Sequence, residues 1–195
     1  KEVAKINGIC SICIDKRFDL LATQYLNLNI VDFYLIGTAG SGLSLGYQDF
    51  CSKECNCECN NSIHNDENVS CDPSNDDMEL LKNNFVKNIE ISETLGSLSN
   101  IYILNHQDCG AIKAYLGCSG YPRIIGENNA LEIKIQTDLL LYAKKYLVEK
   151  FPDITVILGL IDINGTVCDY NEELLSWELR YRGSGKREFG TWYSL

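Results

Sequence analysis

Asn105-His106-Gln107-Asp108-Cys109-Gly110 carries a histidine and a cysteine three residues apart, directly after the apolar run Ile101-Tyr102-Ile103-Leu104. At a strand end, that spacing can aim one imidazole nitrogen and one thiolate at a common point. Zinc accepts both donors and takes one or two more ligands. A third donor lies upstream in Cys13-Ile14-Asp15-Lys16-Arg17, which again follows an apolar run, Ile9 to Ile12. Two strand ends of one open α/β sheet can meet at its carboxyl-end crevice. Cys13, His106 and Cys109 are therefore a candidate three-ligand metal site, with Asp15 and Arg17 beside it. Plainer readings exist for each residue alone: a buried structural thiol at Cys13, a surface ion pair at Asp15 and Arg17, a helix cap at His106. Cys109 could also act as a nucleophile with His106 as base, although three residues on one turn is an awkward geometry for that dyad. These readings require four coincidences together, so the metal reading is preferred.

The elements that would position these residues alternate between strand and helix. Gly8 to Ile14 is nearly all apolar, as a strand buried on both faces requires. Asp19 to Leu28 has helical spacing, with Leu20, Leu21 and Tyr25 on one face. Val31 to Ile36 predicts a second strand, ending in the small-residue turn Gly37-Thr38-Ala39-Gly40-Ser41-Gly42. Such a turn lets backbone approach a site closely. It lacks the Gly-Lys-Ser/Thr of a phosphate loop, so it is read as lining a site.

Met78 to Leu95 predicts an amphipathic helix closed by Gly96, and Ala111 to Leu116 a short helix after the His-Cys pair. Ala130 to Lys150 predicts a long amphipathic helix that Phe151-Pro152 ends. Ile154 to Ile163 is a β-branched apolar strand, and Asn164-Gly165 turns it toward Thr166-Val167. The expectation is a single α/β domain over residues 1–195, with a mostly parallel sheet of about four to five strands flanked by helices.

Two stretches break the pattern. Between about 47 and 77, hydrophobic periodicity disappears, and Cys51, Cys55, Cys57, Cys59 and Cys71 stand among Asn, Ser, Asp and Glu, with His64 between. This predicts a long acidic insert. Its thiols are either incidental, a second metal cluster or local disulfides; the Cys-x-Cys-x-Cys spacing is tighter than that of zinc fingers. The second stretch, about 172–195, carries Trp177, Trp192, Arg180, Arg182, Lys186 and Arg187, a mixture suited to a protein interface or to a disordered tail. Cys10, Cys118 and Cys168 are read as thiols without a role.

Bulk properties exclude several classes. The net charge of −10 disfavours nucleic acid and anionic membranes as partners. No apolar run approaches the roughly 20 residues of a membrane span. Lys1-Glu2-Val3-Ala4-Lys5 is not a signal peptide, and the absence of an opening methionine fits a segment of a longer chain. Ten cysteines without a signal suggest metal binding or buried thiols, and hence a cytoplasmic compartment.

The two motifs together resemble the β-class carbonic anhydrases. That family has Cys-x-Asp-x-Arg after its first strand and His-x-x-Cys after its third, as Cys13-Ile14-Asp15-Lys16-Arg17 and His106-Gln107-Asp108-Cys109 stand here. The likeness extends to Gly110-Ala111, to Ala39-Gly40 and to the late strand from Ile154 to Gly165, covering most of residues 8 to 168. It departs at Gly37-Thr38-Ala39-Gly40-Ser41, where the family usually has Arg-Asn-Ala-Gly-Asn, so an arginine and two amides are lost. Lys16 also stands where a small residue is common.

The resemblance implies a zinc lyase that reversibly hydrates carbon dioxide to bicarbonate by zinc-bound hydroxide. Zinc would be held by Cys13, His106 and Cys109. Asp15, held by Arg17, would orient the hydroxide or, as a fourth ligand, close the site. A homodimer or higher even oligomer is implied as well. Alternatives on the same fold are hydrolysis of carbon disulfide or carbonyl sulfide, or a non-catalytic zinc-containing scaffold.

Overall fold

The structure, a computed structural model, describes residues 7–29, 32–54, 76–96, 98–116 and 129–182. Six strands form one sheet in the order β2-β1-β3-β4-β5-β6. They are β1 (Gly8–Ile12), β2 (Phe33–Gly37), β3 (Asn100–His106), β4 (Thr155–Ile161), β5 (Thr166–Asn171) and β6 (Ser176–Arg182). The first four pair in parallel and the last two antiparallel.

β1 and β3 lie inside the sheet, and their alternating side chains feed two cores. Ile9, Ile101 and Ile103 face one side with Val156 and Leu158; Cys10, Ile12, Tyr102 and Leu104 face the other. Apolar residues on both faces are what a covered parallel strand demands. Helix α1 (Asp19–Asn29) covers the second face through Leu21, Ala22, Tyr25 and Leu26. The first face is covered by α2 (Leu43–Lys53), α3 (Asp76–Leu95) and α5 (Asn129–Lys150), through Leu45, Phe85, Ile89, Leu140, Ala143 and Leu147. A short α4 (Gly110–Tyr115) follows β3. Asp76, Asp77 and Glu79 occupy the first turn of α3, where carboxylates complement the helix dipole.

Three expectations need correction. The sheet has six strands instead of about four to five, and the two added strands, β5 and β6, join the parallel four by antiparallel pairing. The extra strands are half-exposed, so they lack the apolar run that marks a buried strand; their hairpins are set by turn chemistry. Asp162 Oδ1 accepts the N–H groups of Asn164 and Thr166, both at 2.8 Å, and Asn171 Oδ1 those of Glu173 and Leu174.

Second, the insert does not begin at 47. Tyr47 and Phe50 are 1 % exposed in α2, and Cys51 is buried beside them. Gly46 breaks the apolar pattern of that helix but lets it lie against α5: a Cβ there would fall 2.2 Å from the Leu139 carbonyl oxygen. Third, the tail from 172 includes β6, whose Trp177 packs edge-to-face on Tyr170 at 5.1 Å. Cys55, Cys57, Cys59, His64, Cys71, Cys118, Lys186, Arg187 and Trp192 lie outside the described residues.

Among the described residues, no helix is long and apolar enough to cross a membrane.

Candidate metal centre

Ile12, the last residue of β1, pairs with Leu104 of the adjacent β3, which runs two residues further to His106. Cys13 therefore leaves the sheet beside the carboxyl end of β3. The donor atoms of Cys13, His106 and Cys109 all lie within 4.8 Å of one another, and all three residues are buried. Cys13 Sγ and Cys109 Sγ are 3.9 Å apart. Two metal–sulfur bonds of about 2.3 Å at a tetrahedral angle would span about 3.8 Å. This buried Cys-His-Cys group can hold a metal ion.

The histidine is the most informative member. Its Nδ1 is 2.7 Å from the Gln107 carbonyl oxygen, which can only accept, so the proton sits on Nδ1. Nε2 then presents a bare lone pair. It is buried and has no hydrogen-bond partner among the described residues. A buried polar atom left in that state is costly unless something coordinates it. The ring is held flat against Phe18, with centroids 4.2 Å apart and planes at 26°.

The sulfurs are prepared for the same role. Cys13 and Cys109 share a hydrogen bond between their sulfurs, which draws Cys13 down to about 4 against the burial that opposes it. Cys109 is raised in turn, by that hydrogen bond and then by burial. The pair thus shares one proton, which a dication would displace. The Gly40 N–H also faces Cys13 Sγ at 3.4 Å. Gly40 adopts φ +73°, and a Cβ there would lie 2.8 Å from Leu43 Cβ, so this approach requires glycine.

Asp15 and Arg17 form the rim. Arg17 Nε donates to both carboxylate oxygens at 3.0 and 2.9 Å, Nη2 donates to Oδ2 at 2.6 Å, and the Arg17 N–H donates to Oδ1 at 3.1 Å. Burial pushes Asp15 up, but these bonds and the guanidinium charge outweigh it and leave the carboxyl below its ordinary value. Asp15 Oδ2 stands 4.0 Å from His106 Nε2, outside bonding distance yet facing the metal position.

Several contributors escaped the sequence reading. Asp108, inside the His-x-x-Cys motif, accepts from Arg17 Nη1 at 3.2 Å and from Lys113 Nζ. It adopts φ +55°. Glu132, Gln136 and Asn105 are 2 %, 0 % and 1 % exposed. Glu132 accepts the Asp108 N–H, and Gln136 Nε2 donates to the His106 carbonyl at 2.8 Å. Glu132 and Gln136 are one helical turn apart and flanked by the apolar Leu131, Ile135 and Leu139, a polar pair on the buried side of an amphipathic helix. That placement was the available signal.

The turn Gly37–Gly42, which differs from the resembled family, is anchored to β1: the Thr38 N–H donates to the Ile12 carbonyl at 2.8 Å, and Ser41 Oγ to the Ser11 carbonyl at 3.0 Å. Of the thiols proposed for a second cluster, Cys51 is described and lies buried in the core beside Phe50 and Met78. Cys10 is fully buried, and burial raises it well above the usual thiol range.

No protein-family model matches this chain, and no solved structure does. It is 30% identical over 83 residues to a protein of Rickettsia bellii (strain RML369-C) described as an uncharacterized protein. That match covers 40% of this chain and 45% of the relative, so the chain spans less than half of the curated protein it resembles.

Proposed function

We propose that this protein is a zinc enzyme that interconverts carbon dioxide and bicarbonate, with Cys13, His106 and Cys109 as ligands. The observation that carries the reading is the buried Nε2 of His106, without a hydrogen-bond partner among the described residues, facing two sulfurs 3.9 Å apart. Zinc suits this donor set because it takes thiolate and imidazole together and leaves a fourth position open in catalytic sites. When bound, it supplies a Lewis acid able to lower the pKa of a water to about 7.

The chain's own groups would do the remainder. Asp15, clamped by Arg17, offers a carboxylate oxygen on the side that Nε2 faces, where it can accept a hydrogen bond from the nucleophile and orient it. Its lowered pKa keeps it an acceptor at neutral pH. Arg17 is itself held by Asp108, which Lys113 supports, so the acceptor's position is fixed from two strand ends. Phe18 shields one face of the imidazole.

The test is stopped-flow hydration of carbon dioxide by zinc-loaded protein at mildly alkaline pH, beside Asp15→Ala. Turnover in the wild type, much reduced in the variant at equal zinc content, is expected. Zinc bound at one equivalent with no turnover in either protein would remove carbon dioxide as substrate. A homodimer belongs to the same proposal, and a fully active monomer by light scattering would count against it.

A further inference from the structure

Behind the Cys-His-Cys group runs a buried relay of amides. The Gly42 N–H donates to Asn105 Oδ1 at 2.9 Å, Asn105 Nδ2 donates to Gln136 Oε1 at 2.8 Å, and Gln136 Nε2 donates to the His106 carbonyl at 2.8 Å. Both ends force its polarity: a backbone N–H only donates and a carbonyl only accepts, so each amide has a single orientation. One end is the glycine turn whose Gly40 N–H meets Cys13 Sγ. The other is the peptide unit of His106. One turn earlier on α5, Glu132 accepts the N–H of Asp108, the left-handed residue next to Cys109. Helix α5 thus grips the backbone next to two of the three donors and, through Asn105, the turn beside the third.

The relay satisfies two backbone groups, the Gly42 N–H and the His106 carbonyl, and so contributes to stability. What the amides add is direction, because each hydrogen bond fixes a particular peptide unit. We propose that Gln136, acting through Asn105, and Glu132 are positioning residues that set the placement of Cys13, His106 and Cys109 before a metal arrives. The inference rests on reading those three as a metal site. Outer groups of this kind typically change metal affinity 10–100-fold when removed.

The experiment measures zinc affinity by competition with a chromophoric chelator and records the spectrum of the cobalt-loaded protein, with circular dichroism and unfolding midpoint alongside. Gln136→Met keeps the side-chain volume and removes both hydrogen bonds; it is expected to bind zinc about 10–100-fold more weakly and to shift the cobalt bands. Glu132→Gln retains an acceptor for the Asp108 N–H and should stay within a few-fold of wild type. Leu147→Ala, a buried change further along α5, should lower the unfolding midpoint while leaving affinity and spectrum unchanged. A folded Gln136→Met with wild-type affinity and spectrum would overturn the proposal, as would an equal affinity loss in Leu147→Ala. If Gln136→Met does not fold, Glu132→Met takes its place, with affinity loss expected and unchanged affinity overturning the proposal. A wild type that binds neither zinc nor cobalt would instead overturn the metal reading, and the positioning role with it.

Discussion

A carboxylate meets an arginine in two partly buried places, and the two behave in opposite ways. At the carboxyl ends of β1 and β3, Asp15 receives four hydrogen bonds from Arg17, enough to outweigh burial and keep the carboxyl below its ordinary value. Under α1, Asp169 of β5 accepts from Tyr25 and lies 3.3 Å from Arg180 Nε, yet burial dominates and the carboxyl is raised. Arg180 is half exposed and shared with Glu178, so its charge is screened and divided. Tyr25 is raised too, by burial and then by Asp169, so its hydroxyl stays a donor. The Asp169 group joins two elements and closes on itself. The Asp15 group instead stands beside a nitrogen that has no partner among the described residues. A polar cluster that satisfies itself holds the fold together; one that leaves a lone pair bare is prepared for something else.

The largest effect should come from breaking the open cluster. His106→Ala and Cys109→Ser should each reduce bound zinc from one equivalent to none by elemental analysis, while Tyr25→Phe should leave it at one. Chelation of the wild type should lower its unfolding temperature and zinc should restore it, because metal that binds only the folded state adds to stability. Zinc retained in Cys109→Ser would exclude that sulfur as a ligand.

Gly46→Ala should follow, since a Cβ 2.2 Å from the Leu139 carbonyl forces α2 and α5 apart. A loss of about 1–3 kcal/mol by urea unfolding is expected. Zinc affinity should weaken as well, because α2 follows the turn that meets Cys13 and α5 carries Gln136. Unchanged affinity would show that the site tolerates helix displacement.

Tyr25→Phe should cost about 1–3 kcal/mol, since it removes a donor from a buried carboxylate. Wild-type stability would mean that Arg180 alone satisfies Asp169.

The smallest effect is the most specific to the comparison. Asp169 is raised when folded, so its contribution is fully present below the ordinary value of 3.8 and is lost as pH rises through the higher folded value. The stability of wild type relative to Asp169→Asn should therefore fall with pH across that window. Asp15 is lowered, so its contribution is present above 3.8 and lost as pH falls through the lower folded value. Wild type relative to Asp15→Asn should therefore rise with pH. Parallel slopes in chemical unfolding curves would erase the distinction between the two clusters.

Much of the scaffold was legible because it is written locally. Ile101 to Leu104 and Val156 to Ile161 are runs without a polar side chain beyond the tyrosine hydroxyl, which a strand covered on both faces imposes. Ala130 to Lys150 repeats at helical spacing, and α5 occupies Asn129–Lys150. The hairpin from β5 to β6 was not legible, because its residues are half exposed and its turn depends on a single side chain, Asn171. Helix α2 was hidden by Gly46, which interrupts the apolar pattern for the sake of contact with Leu139.

For the site, the spacings Cys13-x-Asp15-x-Arg17 and His106-x-x-Cys109 were sufficient to name five residues, because residue type and a strand-end position are properties of a short segment. Sequence alone determined which donors this protein has and that they stand at strand ends. Only the tertiary structure decided that Cys13 and Cys109 approach to 3.9 Å and that His106 Nε2 has no partner among the described residues. It also decided that Glu132 and Gln136 of α5 turn toward the His106–Cys109 loop. Those outcomes depend on the register of β1 against β3 and on the packing of α5 across them, contacts between residues far apart in the chain that no local pattern encodes.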